Sequence, residues 1–146
     1  MDVNVSGVFV ANDLILTLDI ASYSAATNLE LLFDYSDHGD EDQPNDSVWV
    51  RGSNTDPWVG VYDLNPNTVT NGVYNSVGPL DIDAALLAAG QTLSTSFQVR
   101  FGQEDNFPAT STTASDGISF DNIVIRETQL FCSCCFSYIC NYDNYS

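Results

Sequence analysis

The chain has no lysine. Its 146 residues carry only three arginines (Arg51, Arg100, Arg126) and one histidine (His38) against 20 acids, a formal net charge of −17. That balance argues against nucleic acid or an anionic membrane surface as partner, because both repel it. It suits cations, and calcium first, since calcium takes roughly six to eight oxygen ligands and acidic loops supply them; the alternative for any single acid is plain solubility. No apolar run reaches the roughly 18 residues that a membrane-spanning helix needs. The start, MDVNVSGVFVAND, lacks the basic region and long apolar core of a signal peptide. A composition rich in Asn, Ser, Thr and Asp instead suggests a piece of a larger exported protein, with an extracellular or cell-surface address. Cysteine is absent up to Leu130, so the body does not depend on disulfides. The motifs G-x-S-x-G, H-E-x-x-H and the phosphate-binding loop are also missing. With His38 as the lone imidazole, catalysis is not expected.

The densest feature is Phe33 to Arg51, FDYSDHGDEDQPNDSVWVR, with six carboxylates (Asp34, Asp37, Asp40, Glu41, Asp42, Asp46) and no cation before Arg51. Apolar, strand-like runs flank it, so it reads as an acidic loop between two strands. Asp13–Ile20 alternates, placing Leu14, Leu16, Leu18 and Ile20 on one face. Asn28–Ser36 does the same with Leu29, Leu31, Phe33 and Tyr35. Val3, Val5, Val8 and Val10 suggest an earlier strand interrupted near Gly7. Further strands are expected at 47–51 (Val48 and Val50 inward), 58–64, 73–77, 92–101 and 116–126. In the last, Ile118 and Phe120 oppose Ile123 and Ile125 in parity, which a bulge at Asp121–Asn122 would reconcile. Only DIDAALLAAG, residues 81–90, looks helical, from an Asp cap to a Gly stop. About eight short strands and one short helix predict an all-β fold, a two-sheet antiparallel sandwich over residues 1–127. Residues 128–146 form a separate tail holding Cys132, Cys134, Cys135 and Cys140. Their spacing is not the usual zinc pattern, which leaves an extra strand, an interaction segment or a non-native extension.

The order of FDYSDHGDEDQPNDSVWV, WVGVYDLN, VRFGQEDNFPA and DGISFDNIVI resembles MAM-like, jelly-roll "lectin-like" modules of large exported bacterial surface proteins over about residues 13–127. The resemblance implies a jelly roll and a non-catalytic adhesion or carbohydrate-binding role. Sugars would stack on outward aromatics and bond to polar side chains: Trp49, Arg51, Trp58, Tyr62, Tyr74, Arg100 and Phe107, with Gln98 beside them. Composition and resemblance together suggest a calcium site drawn from Asp37, Asp40, Asp42 and Asp46, joined by Glu104, Asp105, Asp116 and Asp121 if their loops meet at one end. The competing expectation is a structural or adhesion subunit of a surface layer or fibre. It would self-associate as a homo-oligomer by strand pairing through the C-terminal tail.

Overall fold

The computed structural model describes residues 10–23, 28–39, 43–65, 72–105 and 117–128. Seven strands and one helix lie in them: β1 (Val10–Leu18), β2 (Leu29–Asp37), β3 (Ser47–Arg51), β4 (Val59–Asp63), β5 (Asn75–Asp81), α1 (Ile82–Ala88), β6 (Phe97–Asp105) and β7 (Ile118–Glu127). They form two antiparallel sheets, one ordered β1-β6-β3-β4 and the other β5-β2-β7. Only β3 and β4 are consecutive neighbours within a sheet. The other connections cross between the two sheets, which makes the described body an all-β sandwich.

Alternation builds this core. Leu29, Leu31, Phe33 and Tyr35 on β2 are buried, as are Val48 and Val50 on β3 and Phe97, Val99 and Phe101 on β6. The sheets meet ring on ring. Phe33 stands edge-on to Phe101 at 5.2 Å, and Phe101 lies 4.8 Å from Phe120 of β7. Such pairs add about 0.5–1.5 kcal/mol each beyond the area they bury. The helix closes one end by burying Ile82 and Leu86. Its first turn is capped by Asp81, whose Oδ1 accepts from the Ala84 amide at 2.9 Å.

Several expected boundaries move. The earliest expected strand lies outside the described residues apart from Val10, which opens β1. Residues 92–96 are not strand: Ser94 Oγ donates to Gly52 O at 2.7 Å and accepts from the Ser96 amide at 3.1 Å, which turns the chain before β6 begins at Phe97. Beyond Phe101, β6 continues through the polar residues 102–105 because β1 pairs with it as far as Asp105. The expected bulge in β7 is present. Leu32 faces Val124 while Asp34 faces Asp121, and Asn122 takes up the extra residue at φ +50°. A second, unexpected bulge lies in β4: Val48 faces Tyr62, but the next residue, Trp49, faces Gly60.

Candidate functional site

The outer face of the four-stranded sheet carries both tryptophans and two of the three arginines. Trp49 on β3 is the register partner of Arg100 on β6, whose guanidinium carbon lies 3.8 Å from the Trp49 ring centroid. The same carbon is 4.9 Å from the Trp58 ring, and Arg51 approaches Trp58 at 4.1 Å. The four side chains thus form a ladder, Trp49–Arg100–Trp58–Arg51. Each contact of this kind is worth about 0.5–2 kcal/mol. Arg51 is pinned further, since its Nε and Nη2 donate to Gln98 Oε1 at 2.8 and 2.5 Å, and Gln98 Nε2 donates to Thr17 Oγ1 at 2.8 Å. The nearest carboxylate to Arg100 is that of Asp13, at 3.9 Å. A half-exposed ion pair at that limit contributes little, so stacking decides where Arg100 sits.

Two features hold the indoles in place. A Cβ on Gly102 would come within 2.6 Å of Trp49 Cζ3, so the glycine on β6 lets the ring lie across the sheet, while on β4 Gly60 lies in ordinary van der Waals reach of the indole. Trp58 follows a loop clamped by the buried amide of Gln91. Its Oε1 accepts from the Gly52 amide at 2.9 Å, and its Nε2 donates to Pro57 O at 2.8 Å. A depression of about 330 Å³ borders Trp49, with Ser47, Gly60, Tyr62 and Asp63 in its lining.

Of the residues the sequence offers as outward candidates, Trp49, Arg51, Trp58 and Arg100 come together, with Gln98. Tyr62 does not belong among the outward aromatics. The bulge in β4 turns it inward opposite Val48, where its ring packs 5.8 Å from Phe33 and 6.2 Å from Tyr35. Tyr74 is exposed but lies by the other sheet, with its hydroxyl 3.3 Å from Ser119 Oγ. Phe107 lies outside the described residues. Asp13, Thr17 and the two glycines were not singled out by the sequence. Their signal is the alternation of β1, which sets Asp13 and Thr17 opposite its leucines.

The residues just before β3 meet the end of β6. The Glu104 amide donates to Asp46 Oδ1 at 2.7 Å, and Asn45 Nδ2 to Glu104 Oε2 at 2.7 Å. On the other sheet the His38 amide donates to Gly117 O, and the Ile118 amide reaches across to Gln103 Oε1. Asp37, Asp46, Glu104 and Asp105 thus gather where β2 and β6 end and β3 and β7 begin. Asp46 is buried, and its carboxylate accepts from the amides of Gln43 and Glu104, a loop-closing role. Asp37 Oδ1 accepts from the Gly39 amide at 2.7 Å. Asp121 is placed elsewhere. The β2–β7 register sets it opposite Asp34 within the sheet, where it accepts from the Asn122 amide. Hydrogen bonds from Asn122 and then Ser76 hold the Asp34 carboxyl below the usual carboxylate range. Among the described residues no group of three or more His, Cys, Asp or Glu side chains is arranged to hold a metal. Asp40, Asp42 and Asp116 lie outside those residues, as does the tail beyond Thr128.

His38 Nε2 lies 2.8 Å from Ser119 Oγ. A Ser–His pair becomes a nucleophile and base only with a group orienting the other ring nitrogen and with oxyanion donors. Among the described residues no recorded contact supplies the first. In comparisons with protein-family models, curated proteins and solved structures, the chain has no significant match, and the MAM-like resemblance rests on the sequence motifs alone.

Proposed function

We propose that this chain is a non-catalytic, extracellular carbohydrate-binding module whose ligand face is the outer surface of the four-stranded sheet. The observation that supports the reading is the Trp49–Arg100–Trp58–Arg51 ladder beside the depression lined by Ser47 and Asp63. A sugar ring offers an apolar face to an indole and a rim of hydroxyls that both donate and accept. Arginine supplies five N–H donors, of which Arg51 gives two to Gln98 and one to Asp56 O. The rest, with Ser47 and Asp63, suit such a rim. The reading carries calcium with it at the acidic end, where a cation would relieve the repulsion among the gathered carboxylates.

The test is a broad glycan screen with the full chain, repeated with Trp49→Ala and Arg51→Ala. Hits that weaken at least about tenfold in both variants, equivalent to about 1.4 kcal/mol, support the reading. A screen without hits, or hits indifferent to both substitutions, removes it.

A further inference from the structure

With 20 acids against three arginines, each arginine has carboxylates to spare. Arg126 follows that expectation, its Nε donating to Glu30 Oε2 at 3.1 Å. The two arginines of the ladder do not. Arg51 gives its Nε and Nη2 to the neutral amide of Gln98 and its Nη1 to the backbone carbonyl of Asp56. Arg100 has the Asp13 carboxylate at 3.9 Å, beyond hydrogen-bond reach. Its Nε is buried without a partner, which leaves Nη1 and Nη2 as the donors a ligand can meet. The Arg100 side chain is only 21% exposed, so a full positive charge is largely withdrawn from water between two indoles. Stacking explains where the guanidinium lies, because ring faces attract the cation. It does not supply acceptors for the N–H groups around the guanidinium rim. A covered charged donor with no acceptor is costly and calls for an explanation.

The register shows which acceptor suits it. Ser47, Trp49 and Arg51 alternate along β3 and share the outer face, with Asp63 opposite Ser47 and Arg100 opposite Trp49. Of the residues lining the depression beside Trp49, Asp63 carries the one charge. Arg51 stands four residues along β3 from the position facing Asp63, about 13 Å at about 3.3 Å per residue. The face therefore has a sign at each end, negative at Asp63 and positive at the arginines. An anionic group is repelled at the first and finds unused donors at the second. The flat guanidinium fork matches a carboxylate with two parallel bonds. We infer that the ligand of this face is a uronic acid, a sugar bearing a carboxylate that takes the Nη donors of Arg100. Its hydroxyls then lie toward Ser47 and Asp63. The inference rests on the glycan reading of the same face and adds the ligand's charge and direction.

The net charge of −17 does not oppose this at close range. Charges further apart than about 8 Å are largely screened at about 0.15 M salt. Glu104 and Asp105 stand four and five residues along β6 from Arg100, about 13 Å and more away. Asp13 is the near acid, one carboxylate beside two guanidiniums.

Titration calorimetry of the full chain tests the inference without any substitution. The probes are oligomers of galacturonate, glucuronate and mannuronate, each beside its methyl ester, at about 0.15 M salt. The ester keeps the ring and its hydroxyls and removes only the charge. At least one acid should bind at least about tenfold more tightly than its own ester, as a charge-assisted hydrogen bond warrants. Arg100→Gln should bring acid and ester to near equality, whereas a merely structural loss would weaken both alike and keep their ratio. Equal binding of acid and ester, or a preference that survives Arg100→Gln, overturns the inference and leaves the glycan reading standing. So does binding of neutral sugars in the screen with none of the uronates. The ester comparison decides the case if Arg100→Gln does not fold. No binding by any sugar, acidic or neutral, removes the glycan reading and this inference with it.

Discussion

Tyr35 is 0% exposed near the end of β2, and the neighbour its buried hydroxyl addresses is Tyr62. Tyr62 stands beside it with ring centroids 6.2 Å apart. Burial pushes the phenol well above its ordinary value, and the neighbouring Tyr62, Asp37 and Asp63 push the same way. A group that titrates higher folded than unfolded supports stability fully below its unfolded value, about pH 10 for tyrosine. That support declines as pH rises above it. Removing a buried hydroxyl whose one neighbouring polar group is another phenol also relieves much of its desolvation cost. Tyr35→Phe should therefore be neutral or stabilising by up to about 1 kcal/mol at pH 8, and should flatten the loss of stability between pH 8 and about pH 11. Urea denaturation at both ends of that range reads both effects. Gly102 makes the opposite case. A methyl group there meets Trp49 Cζ3 at 2.6 Å and Asn45 O at 2.9 Å, so Gly102→Ala should cost about 1–3 kcal/mol. It should also lift the indole from the sheet, seen as a shift in tryptophan fluorescence.

Between elements, the buried amide of Gln91 ties the segment after α1 to the loop that presents Trp58. Gln91→Ala strands the Gly52 amide and the Pro57 carbonyl, and should cost about 1–3 kcal/mol in thermal or urea unfolding. Glycan hits from the screen should weaken with it, while Gln91→Glu should spare the contact to Gly52 and lose the one to Pro57. Nothing in the sequence marks Gln91, because a clamp between loops 34 residues apart leaves no periodic trace. What was legible follows the same logic. β2 could be read because its apolar residues alternate without a break, and the β7 bulge because its apolar parity flips within one strand. The β4 bulge was hidden, since WVGVYD alternates plausibly in either phase, and Tyr62 was assigned to the wrong side. The turn at residues 92–96 was hidden too, because Thr and Ser suit strands as well as the side-chain bonds that bend the chain there. At the candidate site, Trp49 and Arg51 were visible as outward residues of β3 and Arg100 of β6, and Trp58 as an exposed aromatic opening the expected strand 58–64. Their mutual stacking was not, because it depends on the register between strands.

At the scale of the whole molecule, Asp37, Asp46, Glu104 and Asp105 lie at the end of the sandwich where β2 and β6 finish. With a net charge of −17, folding brings together carboxylates that the unfolded chain keeps apart, and two charges about 4 Å apart repel by about 1 kcal/mol even in water. Simple salt screens this, so melting temperature should rise with sodium chloride alone. Calcium should do more than screen. Asp37 ends β2, Glu104 and Asp105 end β6, and Asp46 lies in the loop before β3, so an ion shared among them would tie both sheets together. A ligand binding only the folded state stabilises it by about 2.7 kcal/mol at a hundredfold excess over Kd, which for a chain of this size raises the melting temperature by on the order of 5–10 °C. Thermal unfolding in EDTA, in magnesium and in calcium, all at one ionic strength, separates the two effects. An increase specific to calcium, reduced by Glu104→Gln, places a metal at the acidic end and fits an extracellular address. Equal melting in the three buffers makes that end solvated charge held in shape by backbone amides. The glycan reading proposed for the sheet face of Trp49 and Trp58 then stands or falls on the glycan screen alone.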